Sequence, residues 1–220
     1  MKLYIDNLEI RVKQSPVVRN KVQFKTIEEK WDSSFLETEY SVLITDEDEF
    51  AINDIIKSLI DLKSKVYKRI TFAINDLQLF KEFMKNEFKS VPAAGGVVEK
   101  YGELLVIKRH GLWDIPKGKI EKDEKLKVGA VREVEEECGV TVDVGEKIGK
   151  TLHFFKKKGR YCYKYTHWFK MKIVSEKNMK PQRNEGIEEV RWMSHEEVVL
   201  MDTYSSITGI LEKYYDEIGL

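Results

Sequence analysis

The feature that most constrains the fold is the segment Arg132–Val140, where closely spaced acids and apolar residues both recur at helical spacing. Glu133, Glu136 and Glu137 stand at positions i, i+3 and i+4, so their carboxylates project from one side of a helix. A neighbouring apolar stripe at helical spacing consists of Ala130, Val131, Val134 and Cys138. Gly139 is typical of the residue that ends a helix. The pattern predicts a helix that buries its stripe against a sheet and gathers carboxylates beside it.

Like charges this close repel each other, and the repulsion grows when they are partly buried. A hard divalent cation with oxygen ligands would offset it. Arg132 is placed to pair with one glutamate and hold its orientation. A glutamate-rich helix is also typical of a solvated charged surface. The three acids by themselves therefore leave two interpretations open, a metal site and a solvated face.

A longer spacing pattern favours the metal site. The segment fits Gly-x5-Glu-x7-Arg-Glu-U-x-Glu-Glu-x-Gly-U, where U is aliphatic, and so resembles the box of the Nudix hydrolase family. Every fixed position matches, at Gly118, Glu124, Arg132, Glu133, Val134, Glu136, Glu137, Gly139 and Val140. The resemblance extends over about residues 92–200 and leaves residues 1–90 uncovered.

The resemblance implies an α/β (α+β) fold, a Nudix α/β/α sandwich with a mixed sheet. It implies that three glutamates, with the backbone carbonyl of Lys117, hold Mg²⁺ or Mn²⁺; these are Glu133, Glu136 and Glu137. Arg132 and Glu124 would orient that ligand set. The metal would polarise a diphosphate and activate a water whose proton passes to a carboxylate. That base is either a box glutamate or Glu185 on a later loop, and Glu185 is equally compatible with a solvated acid.

Four further residues are candidates for substrate binding. Lys117 and Arg109 suit phosphate groups, although each is also compatible with a surface cation. Trp113 suits stacking on a base or packing under its loop. Tyr163 belongs to an alternating row of aromatic residues, some of which we expect to face the cleft.

The implied reaction is Mg²⁺-dependent hydrolysis of a diphosphate linkage in a nucleoside diphosphate derivative. The run Gly111–Gly118 is more similar to family members that act on dinucleoside polyphosphates than to ADP-ribose hydrolases. ADP-ribose and oxidised nucleoside triphosphates are the alternative substrates. From a different class, a non-catalytic nucleotide sensor would bind without turnover.

Residues 1–90 predict a small α/β domain, with a boundary near Pro92 and the Nudix domain over residues 91–220. We expect a strand over residues 2–12 with a turn at Asp6-Asn7. Further strands are expected at 40–45 and 69–74, with helices from Phe50 and over 77–88. The sequence leaves three roles open for residues 1–90: a lid that selects the substrate, a dimer interface or an independent domain.

Beyond Pro92, a hairpin that turns at Tyr101-Gly102 leads into a loop over residues 110–123. A helix is expected over residues 124–138 and strands over 141–144, 150–155 and 161–174. A last strand ends at Trp192-Met193. Ser194 with Glu197 predicts a capping box at the start of a helix from about His195.

Composition excludes several other classes of protein. The chain has 38 Lys and Arg against 38 Asp and Glu, which favours neither nucleic-acid nor acidic-membrane partners. Two cysteines, Cys138 and Cys162, do not suggest a disulfide framework. We expect a cytoplasmic protein with buried thiols and a nucleotide or polyphosphate substrate. A homodimer is one assembly that the sequence allows.

Overall fold

The computed structural model describes residues 1–14, 40–43, 49–62, 69–74 and 76–220. These form two compact units. The first comprises Met1–Ser90 with His153–Tyr163, and the second Val91–Leu152 with Lys164–Leu220. The sequence boundary also falls near residue 90, but it left the segment at 153–163 with the second part. That the two parts are separate domains stays a prediction.

The first unit starts with an antiparallel hairpin of β1 (Lys2–Ile5) and β2 (Leu8–Gln14). Its turn lies at Asp6-Asn7, as predicted, and Asp6 adopts the left-handed backbone that Asp tolerates in turns. Alternate residues of β2 are buried, which explains the apolar alternation of the sequence; they are Leu8, Ile10 and Val12.

A βαβ element completes the sheet of the first unit. The strand β4 (Arg69–Ile74) is parallel to both β2 and β3 (Tyr40–Leu43), and α1 (Glu49–Leu62) lies between β3 and β4 in the chain. Parallel neighbours require such a crossover. The predicted helix from Phe50 is confirmed, whereas the end of the predicted 40–45 strand lies outside the described residues. Four buried residues at helical spacing form the inner side of α1: Ile52, Ile56, Leu59 and Ile60.

The helix α2 (Leu77–Glu87) follows β4 in the first unit. Its first turn is capped by Asp76, whose carboxylate accepts hydrogen bonds from the N–H groups of Gln78 and Leu79 at 2.7 and 3.0 Å. Lys57 of α1 bonds Glu87 of α2 at 2.8 Å. The predicted 77–88 helix is therefore confirmed to within one residue.

The second unit is built on a sheet with strand order β11-β6-β5-β10-β9, with the short strand β7 beside β6 and β8 beside β5. The bounds are β5 Lys89–Lys100, β6 Glu103–Arg109, β7 Leu112–Asp114, β8 Lys117–Lys119, β9 Thr141–Lys157, β10 Arg160–Ser175 and β11 Ile187–Met193. The helices are α3 Leu126–Cys138, α4 His195–Leu200 and α5 Ser205–Ile218.

Consecutive residues of the central strands enter different apolar clusters, because side chains alternate across a sheet. Val98 and Leu105 belong to a cluster with α3, whereas Val97 and Leu104 belong to a cluster with α4 and α5. Helices thus cover both faces of the sheet. The predicted α/β/α sandwich is confirmed.

Two predictions for this unit need correction, and one helix was not predicted. The segment 110–123 is not one loop, because β7 and β8 within it pair with β6 and β5. Thr141–Lys157 is one strand rather than two. The helix α5 was not predicted, although its buried residues follow helical spacing; among them are Ile207, Ile210, Leu211 and Tyr214.

Within the described residues, no helix is long and apolar enough to cross a membrane. Both cysteines are free and buried, as expected from their number and spacing.

Candidate active site

The helix α3 lies with its apolar stripe in the core and its acids toward the loop that precedes it. Ala130, Val134 and Cys138 are fully buried in the cluster beneath the sheet. Gly139 ends the helix with φ +67°, and its N–H bonds the carbonyl of Glu135 at 2.8 Å. The helix begins at Leu126, two residues later than predicted, so Glu124 belongs to the preceding loop.

The three glutamates of the helix differ sharply in exposure. Glu137 is 1% exposed and Glu133 is 8% exposed, one helical turn apart. The side chain of Glu136 is 49% exposed. The sequence predicted a single acidic side. The structure divides it into two buried carboxylates and one accessible carboxylate.

Arg132 connects these acids to the loop. Its guanidinium donates two hydrogen bonds to Glu124, at 2.8 and 2.9 Å. It also bonds Glu133 at 2.8 Å, Glu136 at 3.0 Å and the carbonyl oxygen of Lys119 at 3.1 Å. The bonds from Arg132 hold the pKa of Glu124 down at about 2. Arg132 and Glu124 therefore form a charged pair with two hydrogen bonds; that this pair orients a set of metal ligands stays a prediction.

Whereas the pKa of Glu124 is lowered, burial raises the pKa values of the two buried carboxylates, Glu133 and Glu137. It raises the pKa of Glu137 to about 7, although the positive charge and the N–H of Lys117 oppose the rise. It also raises the pKa of Glu133, against the lowering effect of Arg132. Both shifts mean that the charged forms are destabilised when no further cation is present.

The strand β8 supplies the other wall of the site. The N–H of Lys117 donates to Glu137 at 2.8 Å, and the ammonium of Lys117 pairs with Asp114. At Gly118, a β-carbon would overlap the Glu133 carboxylate. A side chain at this position would displace the Glu133 carboxylate from its place beside Arg132, and this accounts for glycine as the first residue of the box.

The donor set suits a hard divalent cation, since it consists of carboxylate oxygens whose charges Arg132 and Lys117 compensate only in part. The geometry is not that of a formed metal site. Among the described residues, no three acidic, histidine or cysteine side chains are arranged as a ligand set. One reason is that Glu136 is turned toward Arg132. Its recruitment as a ligand would require it to release that arginine.

A loop from the later part of the chain is anchored to the carboxyl end of α3. The N–H of Lys180 bonds the carbonyl of Cys138 at 2.9 Å, and the N–H of Gln182 bonds that of Glu137 at 3.1 Å. The loop carries Glu185, which is exposed and whose negative charge helps to raise the pKa of Glu133. The structure thus brings Glu185 within electrostatic range of Glu133, a proximity that sequence spacing does not reveal.

The candidate substrate residues have different positions. Arg109 is half-buried at the end of β6. Trp113 is partly buried against the cluster around α5, with the Lys108 ammonium 5.4 Å from its ring centroid. Its backbone bonds Asp202 and Thr203, at 2.9 and 2.6 Å. These contacts favour the packing role of Trp113 over base stacking.

Tyr163, the aromatic residue expected to bind substrate, belongs to the first compact unit. It is buried in the first unit, where its ring lies 6.0 Å from that of Phe154. The next residue, Lys164, points to the opposite face of β10. Lys164 is the residue that lies within electrostatic range of Lys117, Arg109 and Glu137. The sequence offers one indication of this position, because Lys164 is the only lysine or arginine between Tyr161 and Phe169.

Comparison with known proteins agrees with this geometry. A family model described as the NUDIX domain matches residues 89–213, which is more than half of the chain. A solved MutT protein from Methanosarcina mazei Go1 is similar with a TM-score of 0.50 and 26% identity, over 61% of this chain and 99% of that one.

Two curated relatives match shorter stretches of the sequence. A MutT-like protein of Streptomyces ambofaciens is 47% identical over 62 residues, which is 27% of this chain and 40% of the relative. A CTP pyrophosphohydrolase of Escherichia coli (strain K12) is 33% identical over 66 residues, 27% of this chain and 49% of the relative. The chain spans less than half the length of these relatives.

Proposed function

The chain belongs to the NUDIX family, and from that premise we propose that it hydrolyses a diphosphate linkage in a nucleotide derivative. The observation that carries the proposal is the pair Glu133 and Glu137, two buried carboxylates with raised pKa values on one side of α3. Buried acids whose pKa values are raised by burial, against nearby positive charges, are typical of functional sites. A metal-bound diphosphate is the ligand that their setting suits.

The residues that would hold the metal are those of the box. Glu133, Glu136 and Glu137, with the carbonyl oxygen of Lys117, would hold Mg²⁺ or Mn²⁺. A divalent cation bound there supplies charge neutralisation of phosphate oxygens and a more acidic water. Arg132 keeps Glu133 in place through the 2.8 Å bond and is itself fixed by Glu124.

Two groups of the chain act on the phosphates and on the water. Lys117 lies at the wall of the site, where its positive charge favours binding of a phosphate group. Glu185 is our candidate for the base that accepts the proton of the attacking water. Its carboxylate makes no hydrogen bond or ion pair within the part of the chain that the structure describes. A carboxylate without a partner is available for a proton, and its exposure gives water access.

The substrate is the finer part of the proposal. The name of the E. coli relative, a CTP pyrophosphohydrolase, supports a nucleoside triphosphate. The sequence run at residues 111–118 favoured dinucleoside polyphosphates, and ADP-ribose is the contrasting diphosphate without further phosphates. A panel of these compounds with Mg²⁺, read by identification of the products, tests the reaction and ranks the substrates. Cleavage of none of them would contradict the proposed function.

A nucleotide sensor is the alternative from another class. It predicts binding of the same compounds without turnover. The matched experiment is calorimetric binding beside the hydrolysis assay, on the same preparation. Binding combined with product formation supports the enzyme, and binding alone supports the sensor.

A further inference from the structure

The charges of the chain are balanced overall but unevenly distributed along the sequence. Residues 147–175 contain nine lysines and arginines and no aspartate or glutamate, whereas the whole chain has 38 charges of each sign. This segment covers most of the hairpin of β9 and β10, and aromatic residues are interspersed with its cations. The overall balance, which favours no nucleic-acid partner, conceals a stretch of the composition that is typical of nucleic-acid-binding surfaces.

A basic patch forms in the second unit, where cations and aromatic rings of this segment are in contact. The ammonium of Lys147 on β9 lies 2.7 Å from Nδ1 of His167 on β10. The ammonium of Lys150 lies 4.9 Å from the ring centroid of Tyr165. The rings of Tyr165 and His167 are 5.4 Å apart, centroid to centroid, and both are half-buried. Two exposed lysines thus surround a pair of adjoining rings.

The helix α5 adds a third lysine to the patch. The ammonium of Lys213 donates a hydrogen bond to the carbonyl oxygen of Ile148, the residue that follows Lys147. A carboxylate oxygen of Glu217 lies 3.8 Å from Lys213, but Glu217 also pairs with Lys170 at 3.0 Å. The charge of Lys213 is therefore only weakly compensated. The basic patch is defined by these five residues: Lys147, Lys150, Tyr165, His167 and Lys213.

The cations of the basic patch lack anionic partners. Among the side chains that the structure describes, neither Lys147 nor Lys150 forms an ion pair, and the hydroxyl of Tyr165 makes no hydrogen bond. Burial lowers the pKa of Lys147, and the charges of Lys150 and Lys213 lower it further. The pKa of His167 is also lowered, by burial and then by the two lysines of β9. An anionic ligand would relieve this mutual repulsion.

We propose that the basic patch binds single-stranded nucleic acid, with the three lysines at the phosphates and the ring of Tyr165 stacked on a base. The proposal involves none of the residues assigned to diphosphate hydrolysis and goes beyond that function. Lysines neutralise the backbone charge, and an aromatic ring can stack on any base. A single strand is favoured over a duplex because its unstacked bases are accessible. The patch contains no aliphatic side chain that would enter a lipid bilayer.

Fluorescence anisotropy tests the proposal on the full-length chain, with a labelled oligouridylate of about 16 nucleotides that ends in a 5′-hydroxyl. The probe has no diphosphate and the buffer contains EDTA, so the result is independent of hydrolysis. Replacing both Lys147 and Lys150 with glutamine should weaken binding about tenfold or more. The slope of log K against log salt should fall by about 1.4, as expected for two lost phosphate contacts.

The matched control replaces both Lys85 and Lys89, exposed lysines outside the basic patch, with glutamine. It removes the same charge and should change neither the affinity nor the salt dependence. Equal binding by the wild type and the Lys147 and Lys150 variant would overturn the proposal. An equal loss in the control would do the same, because it would show that only the net charge of the chain matters.

The ring of Tyr165 separates nucleic acid from other polyanions. Tyr165→Leu should weaken oligouridylate binding about tenfold, the loss typical of one stacked base. Tyr165→Phe retains the ring and should bind like the wild type. Heparin, a polyanion without bases, should bind equally to the wild type and to Tyr165→Leu, which also verifies that this variant is folded. Undiminished oligouridylate binding by Tyr165→Leu would identify a site for polyanions in general, against the proposal.

Discussion

The carboxylate of Glu137 accepts a hydrogen bond from the backbone N–H of Lys117 at 2.8 Å, and so joins the last turn of α3 to the short strand β8. This bond holds Glu137, near the end of the box, against Lys117, the residue just before Gly118. A glutamine amide oxygen could accept the same N–H. The contact therefore separates the structural role of residue 137 from the role of its charge.

Glu137→Gln should lower kcat by about a hundredfold or more, on the order of 3 kcal/mol, if the charge serves a metal site. The packing should survive, because the two side chains have nearly the same shape and the bond to Lys117 can persist. Steady-state hydrolysis of the best substrate, with melting measured on the same sample, checks both statements.

Glu135→Gln is the matched control for that variant. Glu135 occupies the unspecified position of the box, and it accepts a hydrogen bond from the N–H of Val142 at 3.2 Å. A glutamine oxygen can accept this bond too. We expect little change in kcat. Similar activity in the two variants would contradict the catalytic assignment of Glu137.

The stability of the metal-free chain should depend on pH through Glu137. Its pKa in the folded chain, about 7, lies above the ordinary value of 4.5, so folding favours the protonated form. The stabilisation is complete below about pH 4.5 and is lost as the pH rises toward 7. Urea unfolding in EDTA across this range should show a falling free energy of unfolding. In Glu137→Gln the free energy of unfolding should fall less steeply with pH, and the remaining slope should come from Glu133. An unchanged slope would show that another group causes the pH dependence.

Millimolar Mg²⁺ or Mn²⁺ should raise the melting temperature of the full-length chain. A ligand that binds only the folded state at about 100 times its Kd adds about 2.7 kcal/mol. Replacing both Glu136 and Glu137 with glutamine should abolish the rise, because two of the proposed ligands lose their charge. An equal rise in the double variant would locate the cation at another site.

Gly118→Ala should lower activity by roughly a hundredfold, since its new methyl group would displace the Glu133 carboxylate and small displacements at a site are costly. Gly145→Ala is a suitable control. A β-carbon at Gly145 would have the carbonyl oxygen of Lys170 as its nearest neighbour, at 3.3 Å. Full activity of Gly118→Ala would show that Glu133 can move without consequence.

The parts of the fold that depend on local chemistry were predictable from the sequence. Gly139 ends α3 in the left-handed conformation, and Ser194 with Glu197 forms the capping box at α4. Each depends on residues close together in the chain. The helical spacing of α5 could also have been found, because Ile207, Ile210 and Leu211 repeat at the expected interval.

Other parts depend on tertiary contacts that spacing does not encode. The strands β7 and β8 have three residues each, too few for any periodicity, and they exist through pairing with β6 and β5. Alternation alone could not tell which face of β10 meets the site. The aromatic row predicts that the face with Tyr163 meets the site, whereas it is Lys164, on the other face, that lies within electrostatic range of Glu137.

The anchoring of the later loop to α3 has a consequence for how the chain can vary in length. Surface loops usually tolerate insertions and deletions. Here two carbonyls at the end of the helix, those of Glu137 and Cys138, are matched to the N–H groups of Gln182 and Lys180. An added residue between Lys180 and Glu185 would shift Glu185 along the loop while the helix stayed in place. We therefore expect insertions in this region to be confined to the side of the loop before Asn178.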